Sequence, residues 1–167
     1  KMCIVLNMLK IAKYPDPILR KTAKPIRDFN AALEKLAENM ARVMFADDGI
    51  GLAGPQVSQS QRIIVVGDGR GDHYEVYVNP EVTFFSKDKT STEEGCLSLP
   101  KIFGNVTRPK KIHLKYQDLE GNVIKEKIKG LKSVVIQHEV DHLDGILFID
   151  RVEKITKGQD ILDSLKK

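Results

Sequence analysis

The sequence predicts a single α+β domain, in which antiparallel sheets pack around a central helix that carries the sequence HEVDH. One further helix is expected near the N-terminus and another at the C-terminus. Two segments, at about 31–44 and 131–143, repeat apolar residues at helical spacing. Short β-branched or alternating runs separated by turn formers lie between them, as in antiparallel meanders. A length of 167 residues with 41% hydrophobic and 30% charged residues fits one globular domain.

Two segments precede the first predicted helix. Residues 1–7, KMCIVLN, are expected to be a cloning remnant before Met8, since no small-residue cleavage site of a signal peptide follows them. The segment YPDPILRKTAKPI, residues 14–26, contains three prolines and is expected to be extended and to wrap over the domain.

The first helix is predicted from about Ala31 to Met44. Asp28 or Asn30 is expected to cap its start, and Gly49 follows its end. The strands predicted after it are RIIVV (62–66), YEVYV (74–78), EVTFF (81–85), KIHLKYQ (111–117) and NVIKEKI (122–128).

Charge, cysteine content and hydrophobicity limit the location and the partners that we expect. The net charge of +4 permits a polyanionic partner without requiring one. Lysines scattered among acids, as in KEKIKGLK (125–132), favour a solvated face. Cys3 and Cys96 match no pattern of a disulfide framework, and no apolar run approaches the roughly 18 residues of a membrane span. We therefore expect a cytoplasmic location, no membrane partner and no DNA partner.

Two glycine motifs have simpler interpretations than the binding sites that their patterns suggest. GIGLAG (49–54) matches the dinucleotide pattern G-x-G-x-x-G, but that pattern requires a preceding strand and a following helix. Here a helix precedes it and Pro55 follows, so a nucleotide site is not expected. GRGDH (69–73) is interpreted as a hairpin turn. His73 and His113 are expected to be surface residues.

The second helix, from about Leu131 to Leu143, contains H-E-x-x-H and ends at Asp144-Gly145. Positions i and i+4 share a helix face, so His138 and His142 can bind one metal ion, with Glu139 beside it as a general base. Two structural histidines are the alternative. The residues expected on its inward face are Leu131, Val134, Val135, His138 and His142. A short strand ILFID (146–150) and a lysine-rich terminal helix are predicted to follow.

A catalytic metal site needs a third ligand, and no motif after the helix supplies one. Upstream, Cys96 in EEGCLSLP (93–100) is a soft donor that suits zinc or ferrous iron beside two imidazoles. A small buried hydrophobe and a nucleophilic Cys–His pair are the alternatives for this cysteine. A nucleophile alone would not account for His142 or Glu139.

These motifs together resemble those of the peptide deformylase family. GIGLAGPQ (49–56), EGCLS (94–98) and HEVDH (138–142) stand in the family's order and with similar spacing. The segment at 14–26 and the QDLEGN turn (117–122) also resemble family members, so the similarity spans nearly the whole chain. Gly54 departs from the pattern, since the family usually has alanine there, and the substitution could loosen the loop that carries Gln56.

The resemblance implies a metal-dependent hydrolase that removes the formyl group from N-terminal formylmethionine and releases formate. It implies one divalent ion on Cys96, His138 and His142, natively Fe²⁺, with Zn²⁺, Ni²⁺ or Co²⁺ as alternatives. Metal-bound water is then the nucleophile and Glu139 the general base and acid. Gln56 and the Leu97 amide stabilise the formyl oxygen, and Asp141 orients the site without touching the metal. The implied substrate-binding residues are Ile50, Gly51, Gly95, Leu131, Val134 and Val135.

The expected partner is an N-formylmethionyl nascent peptide, and the chain is expected to be a monomer. The terminal segment RVEKITKGQDILDSLKK (151–167) resembles in position the C-terminal helix with which related enzymes dock near the ribosomal tunnel exit. Two other functions compete with deformylation: a general metallopeptidase, and a basic RNA-associated module with a structural metal. The Cys96 ligand argues against the first, and Glu139 with Gln56 against the second.

Overall fold

A computed structural model describes residues 9–71 and 73–166. The expected cloning remnant at 1–7 lies outside this part of the chain. Helix α1 spans Ala31–Ala46, α2 spans Leu131–Leu143 and α3 spans Gln159–Leu165. Within the described ranges no helix combines the length and apolar character needed to cross a bilayer.

The strands form two antiparallel sheets. In chain order the strands are β1 (Gly51–Ala53), β2 (Ile63–Gly67), β3 (Tyr74–Phe85), β4 (Lys89–Cys96), β5 (Leu99–Pro109), β6 (Lys111–Gln117), β7 (Val123–Lys129) and β8 (Lys154–Lys157). The larger sheet has the order β1-β2-β3-β6-β7, and the smaller has the order β4-β5-β8. Strands β1 and β4 are therefore edge strands, each with a single described neighbour.

Helix α2 packs on the inner face of the larger sheet. Val135 and Ile136 share a buried cluster with Ile112 and Leu114 of β6. Helix α1 packs elsewhere on this sheet, through a cluster that includes Met40 and Met44 together with residues of β2. A third cluster, built on β5, receives Phe148 and Leu162 from the C-terminal part. The smaller sheet is thus held by its own core next to α2.

The proline-rich N-terminal segment crosses the molecule and ties its parts together. The amide of Ala12 donates to the Gln56 carbonyl at 2.7 Å, and that of Tyr14 to the Ser98 carbonyl at 2.8 Å. The amide of Ala23 donates to the carbonyl of Leu143, the last residue of α2, at 2.8 Å. The predicted wrapping is confirmed, but Pro17–Arg20 form a 3₁₀ turn where extended chain was expected. The segment links the three parts of the chain that carry the motifs.

The α+β class is confirmed, as are the extents of α1 and α2. Asn30, rather than Asp28, caps α1, because its side chain accepts hydrogen bonds from the amides of Ala32 and Leu33. Residues Leu131–Leu143 form α2 as predicted, and Gly145 follows in the left-handed region at φ 72°.

Several strand predictions were wrong. The segment predicted as strand ILFID forms a 3₁₀ turn at Phe148–Asp150, in which the Asp150 side chain accepts from the Leu147 amide. The two strands predicted at 74–78 and 81–85 are one strand, β3, with irregular register against β6. Residues Lys154–Lys157 of the predicted terminal helix form β8 instead, because they pair with β5.

Candidate metal centre

The structure brings Cys96, His138 and His142 together. One ligand atom of each lies within 4.8 Å of the others. The Cys96 Sγ is 3.3 Å from Nε2 of His142, and the two imidazole rings have centroids 5.0 Å apart. Both histidines are buried, because α2 turns this face toward the end of β4. The side chains that the sequence singled out from two distant segments thus meet at one point.

The outer nitrogen of His138 is held by a carboxylate. Nδ1 of His138 donates to Oε2 of Glu94 over 2.8 Å, which leaves Nε2 for the interior of the site. Arg108 donates to the same carboxylate through Nε and Nη2, at 2.6 and 3.0 Å. Burial opposes ionisation of Glu94, but the hydrogen bonds from His138 and Arg108 outweigh it and hold its pKa below the usual value.

Arg108 also joins this carboxylate to Asp141. Its Nη1 donates to Oδ2 of Asp141 at 2.9 Å, and Arg151 donates to both oxygens of Asp141 at 2.7 and 2.8 Å. Arg108 is only 4% exposed, so its charge is balanced by two carboxylates in the interior. Asp141 is therefore linked to Glu94 through Arg108, and to His138 only through both of these side chains. Any orienting effect of Asp141 on the site passes through Arg108 and Glu94.

Glu139 lies beside the histidines, in a space that only glycine leaves open. It is 4% exposed, and its Oε2 has no hydrogen-bond partner among the described residues. A Cβ atom at Gly51 would collide with Oε1 of Glu139, so the glycine of β1 permits the close approach. Burial raises the pKa of Glu139 to about 7, with the positive charge of His138 opposing the rise.

Gln56 is fixed in one orientation. Its Oε1 accepts from the amide of Ala53 at 2.9 Å, which identifies the other atom as the amide nitrogen. That nitrogen lies 3.2 Å from Oγ of Ser98 and 3.4 Å from Sγ of Cys96. The Gln56 amide therefore points its donor at the site. Next to Cys96, the Leu97 carbonyl accepts from Nζ of Lys13 at 2.6 Å.

A cavity of about 830 Å³ opens onto these groups. It runs between the edge strands β1 and β4, whose outer edges carry no described neighbour. Glu139, Gln56, Leu97 and all six residues predicted to bind substrate border it: Ile50, Gly51, Gly95, Leu131, Val134 and Val135. Leu131 is 67% exposed, so the prediction that it lies on the buried face of α2 was wrong. It lies at the mouth of the cavity, because it is the first residue of the helix.

The donor set fits a divalent metal ion. A thiolate and two imidazoles around a tetrahedral ion are expected about 3.5 Å apart, and the Cys96–His142 distance of 3.3 Å is close to that value. The bond from His138 to Glu94 is the outer contact that metal-binding histidines usually make. Burial lowers the pKa of His142 well below its ordinary value and favours the neutral form that binds metals.

Sequence reasoning missed the groups that support the ligands. Glu94 had a usable signal: it stands two residues before Cys96, and alternate residues of a strand share a face. Arg108 and Ser98 had no such signal. Arg108 reaches the site only because β5 pairs with β4, and Ser98 only because the chain bends after Cys96. His73 and His113 lie away from the site, as expected, and GIGLAG forms β1 and the start of a 3₁₀ turn.

A cavity that ends on a helix-borne H-E-x-x-H and a thiol is typical of a metal-dependent hydrolase. Residues 8–158 match the polypeptide deformylase family. The chain therefore belongs to this family, whose members remove the N-formyl group from nascent peptides.

Individual members of the family are similar to most of this chain in sequence and in structure. A peptide deformylase of Thermotoga maritima is 43% identical over 145 residues, which are 87% of each chain. The chloroplastic peptide deformylase 1B of rice is 44% identical over 95% of this chain and 58% of its own length. Among solved structures, the enzyme of Plasmodium falciparum superposes with a TM-score of 0.88 at 37% identity, over 94% of this chain and 93% of its own. The Thermotoga maritima structure gives a TM-score of 0.84 over 88% and 99%.

Proposed function

We propose that the chain hydrolyses the formyl group of N-formylmethionyl peptides with one divalent metal ion held by Cys96, His138 and His142. The observation that carries the proposal is the position of this donor set beside Glu139, whose Oε2 has no hydrogen-bond partner in the described part of the chain, at the end of a cavity between two strand edges. A bound divalent ion would act there as a Lewis acid toward water and the formyl oxygen.

Glu139 is the proton carrier of the proposed reaction. Its Oε2 has no described partner, so it is available to accept a proton from the attacking water. The same oxygen then delivers that proton to the amide nitrogen as the C–N bond breaks. One water is consumed, and formate and a free amine are the products. Gly51 supports this role because the absence of a Cβ there leaves room for the Glu139 carboxylate beside β1.

Gln56 and the Leu97 amide stabilise the formyl oxygen as negative charge builds on it. The proposal for Gln56 is supported by its fixed orientation, since the amide of Ala53 holds Oε1 and leaves Nε2 facing Cys96. A donor that is already aligned needs no reorganisation during the reaction. Leu97 follows Cys96 directly and borders the same cavity.

The peptide is proposed to bind as an extra strand between the edges of β1 and β4. Gly51 and Gly95 lie on these two edge strands and border the cavity, so their backbone groups support such pairing. Ile50 directly precedes β1, and its carbonyl already accepts from the Gly67 amide at 3.0 Å, so its amide is the group proposed to pair with the peptide. The methionine side chain enters the apolar part of the cavity, formed by Val134, Val135 and Leu131. Apolar contacts there select the first residue of the substrate.

Finer assignments follow from the family resemblance. We propose Fe²⁺ as the native ion, since a thiolate with two imidazoles accepts it, and a monomer that works in the cytoplasm. A ribosome contact by the terminal segment is supported by the exposed Lys154, Lys157 and Lys166. Its apolar residues are used in packing, as the burial of Leu162 indicates. Ribosome co-sedimentation of the full chain and of a chain truncated after Lys157 tests this contact.

The decisive experiment compares three peptides of one sequence, with an N-formyl, an N-acetyl or a free N-terminus. The metal-loaded protein should release formate from the first and leave the others intact. Cleavage of an internal amide in any peptide would instead identify a metallopeptidase, and no reaction with a metal-loaded protein would favour a non-enzymatic module.

The Glu139→Gln variant tests the proton carrier. It preserves the shape of the side chain but removes the base, so turnover should fall by about 10²–10⁴-fold while one metal ion per chain is retained. Near-normal turnover with metal bound would remove Glu139 from this role.

A further inference from the structure

The outer face of the β6–β7 hairpin carries positive side chains directly opposite one another. Strand register places Lys111 opposite Lys129, and Lys115 opposite Lys125. Between these pairs, His113 lies opposite Lys127. We call this set the basic ladder: Lys111, His113, Lys115, Lys125, Lys127 and Lys129. The five lysines are exposed, and His113 is partly exposed.

The separation of charge between the two faces of β7 is not evident from its sequence, in which lysines and other residues alternate. In KEKIK the lysines alternate with Glu126 and Ile128, so a strand turns the lysines outward and the other two residues toward α2. Glu126 is used on that inner side, where its carboxylate accepts from the Tyr116 hydroxyl at 3.3 Å. The solvated face expected from this stretch is therefore basic on one side only.

The lysines of the ladder form no ion pair within the described part of the chain. None of its lysines has a carboxylate oxygen within the 4.0 Å of an ion pair, although ten other pairs are formed. Glu81 of β3 is opposite Lys115 in register but makes no such pair. Like charges directly across a strand pair destabilise a sheet, so the ladder weakens the fold. A polyanionic ligand would remove that repulsion.

An aromatic ring lies at the edge of the ladder. Phe84 of β3 is 48% exposed, and its ring centroid is 4.6 Å from that of His113, with 34° between the planes. The neighbouring Phe85 is 54% exposed. Rings open to solvent beside regularly spaced cations are the combination that binds single-stranded nucleic acid, since bases stack on the rings and phosphates meet the lysines.

We propose that the basic ladder and Phe84 bind a single-stranded polynucleotide. Alternate lysines on one strand are about 7 Å apart, so the ladder offers a repeating row of charge over about 14 Å, which suits a regular row of phosphates. An acidic peptide would use the lysines but would leave Phe84 without a role. An anionic membrane would also use the lysines, and the test includes it. The surface is separate from the terminal segment considered above for ribosome contact.

The test uses the full metal-loaded protein and fluorescein-labelled 12-nucleotide oligouridylate and oligothymidylate, followed by fluorescence anisotropy. Binding to either probe is expected, and the ratio between them gives the preference between two probes that differ in the 2′-hydroxyl group and in the thymine methyl group. If all five lysines meet phosphates, affinity should fall by about 100-fold between 50 and 200 mM salt. Polyglutamate and vesicles with one-third phosphatidylglycerol should bind more weakly than the oligonucleotides.

The variant Lys125→Glu/Lys127→Glu/Lys129→Glu separates binding from folding. It replaces like-charged pairs by opposite-charged ones, so thermal unfolding should occur at a higher temperature than in the wild type. Oligonucleotide binding should be lost at the same time, while turnover of a formylated tripeptide stays unchanged. The matched control Lys154→Glu/Lys157→Glu/Lys166→Glu makes the same change of charge in the terminal segment and should keep most of the binding.

Phe84→Ala tests the stacking contact. It should weaken binding at least about fivefold and leave the salt dependence unchanged, because no phosphate contact is removed. The proposal is overturned if the wild type binds neither probe at 50 mM salt, or if the two triple variants lose binding equally. Equal or tighter binding of polyglutamate or vesicles would also overturn it.

Discussion

Glu94 holds His138 from outside the candidate metal site, with 2.8 Å between the carboxylate Oε2 and the ring Nδ1. The bond fixes the ring orientation and the tautomer, so Nε2 faces Cys96 and His142. Arg108 donates to both oxygens of the same carboxylate and so fixes the position of Glu94 itself. Alignment of one ligand thus depends on a strand residue of β4 and an arginine of β5.

We expect Glu94→Gln to weaken metal binding by about 10–100-fold, because the neutral amide is a poorer partner for the His138 N–H. Competition with a chromogenic chelator measures the affinity. Glu93→Gln is the matched control, since Glu93 is the preceding carboxylate and is exposed. Cys96→Ala should lose most of the metal in the same assay. Equal affinity of Glu94→Gln and wild type would reduce Glu94 to a purely structural residue.

Arg108→Met should destabilise the fold by about 3–5 kcal/mol, because it leaves the buried Glu94 carboxylate without its arginine and removes one of the two arginines paired with Asp141. Urea unfolding followed by circular dichroism gives the free energy. Arg42→Met removes an exposed pair with Glu38 and should cost less than about 1 kcal/mol.

A triple variant distinguishes charge from packing at this position. Arg108→Met combined with Glu94→Gln and Asp141→Asn removes the two carboxylate charges that Arg108 helped to balance, so it should be more stable than Arg108→Met alone. If the triple variant were the less stable of the two, lost packing of the arginine would be the main effect.

The sequence predicted the helices and the donor set well because both depend on local spacing. Apolar periodicity placed α2 within its observed bounds, and the i and i+4 histidines share a face by helix geometry alone. Cys96 was predicted only because two histidines do not complete a catalytic metal site and a third ligand is needed. Its meeting with them depends on β4 ending beside α2, which no local pattern encodes.

The β4–β5 hairpin was missed for a physical reason. Lys89–Cys96 reads KTSTEEGC and has almost no apolar residue, because β4 is an edge strand that borders the cavity. Strand β5 contains Pro100 and Gly104 and lacks regular β-branched character. A Cβ at Gly104 would collide with Val152, so this glycine serves tertiary packing and weakens the local strand signal. The contact of Arg108 with Glu94 could not be predicted from the sequence either, because it depends on the pairing of β5 with β4.

Asp150 should make stability depend on pH in the acid range. Partial burial opposes its ionisation, but hydrogen bonds from Arg20 and the Leu147 amide outweigh this and lower its pKa below the ordinary value of 3.8. A lowered folded-state pKa stabilises the fold above the unfolded value, and the contribution is lost as pH falls through the folded pKa. Wild type should therefore exceed Asp150→Asn in urea midpoint at pH 6, and the gap should shrink below pH 3.8. A gap that is constant with pH would show that ionisation of Asp150 is irrelevant.

Gly54→Ala installs the alanine that the family resemblance led us to expect, and it should nevertheless destabilise this chain. A Cβ at Gly54 would lie 2.5 Å from the Gln61 carbonyl oxygen and 2.8 Å from that of Gln59, so the loop is closed around the glycine, contrary to the loosening expected from sequence. Both obstacles are backbone atoms, and the strain of about 1–3 kcal/mol should exceed the 0.4–1 kcal/mol or so gained from restricting the unfolded chain.

Urea unfolding measures the effect of Gly54→Ala, and Gly67→Ala is its control. A Cβ at Gly67 would meet only the side chains of Met44 and Phe45, at 3.0 Å, and these can move. Gly67→Ala should therefore be the milder change. Gly54→Ala should also lower turnover, because a shift of the Gly54–Val57 turn displaces the Gln56 amide from Cys96. If Gly54→Ala were as stable and active as the wild type, the 59–61 loop would have to relax by several tenths of an ångström at no cost.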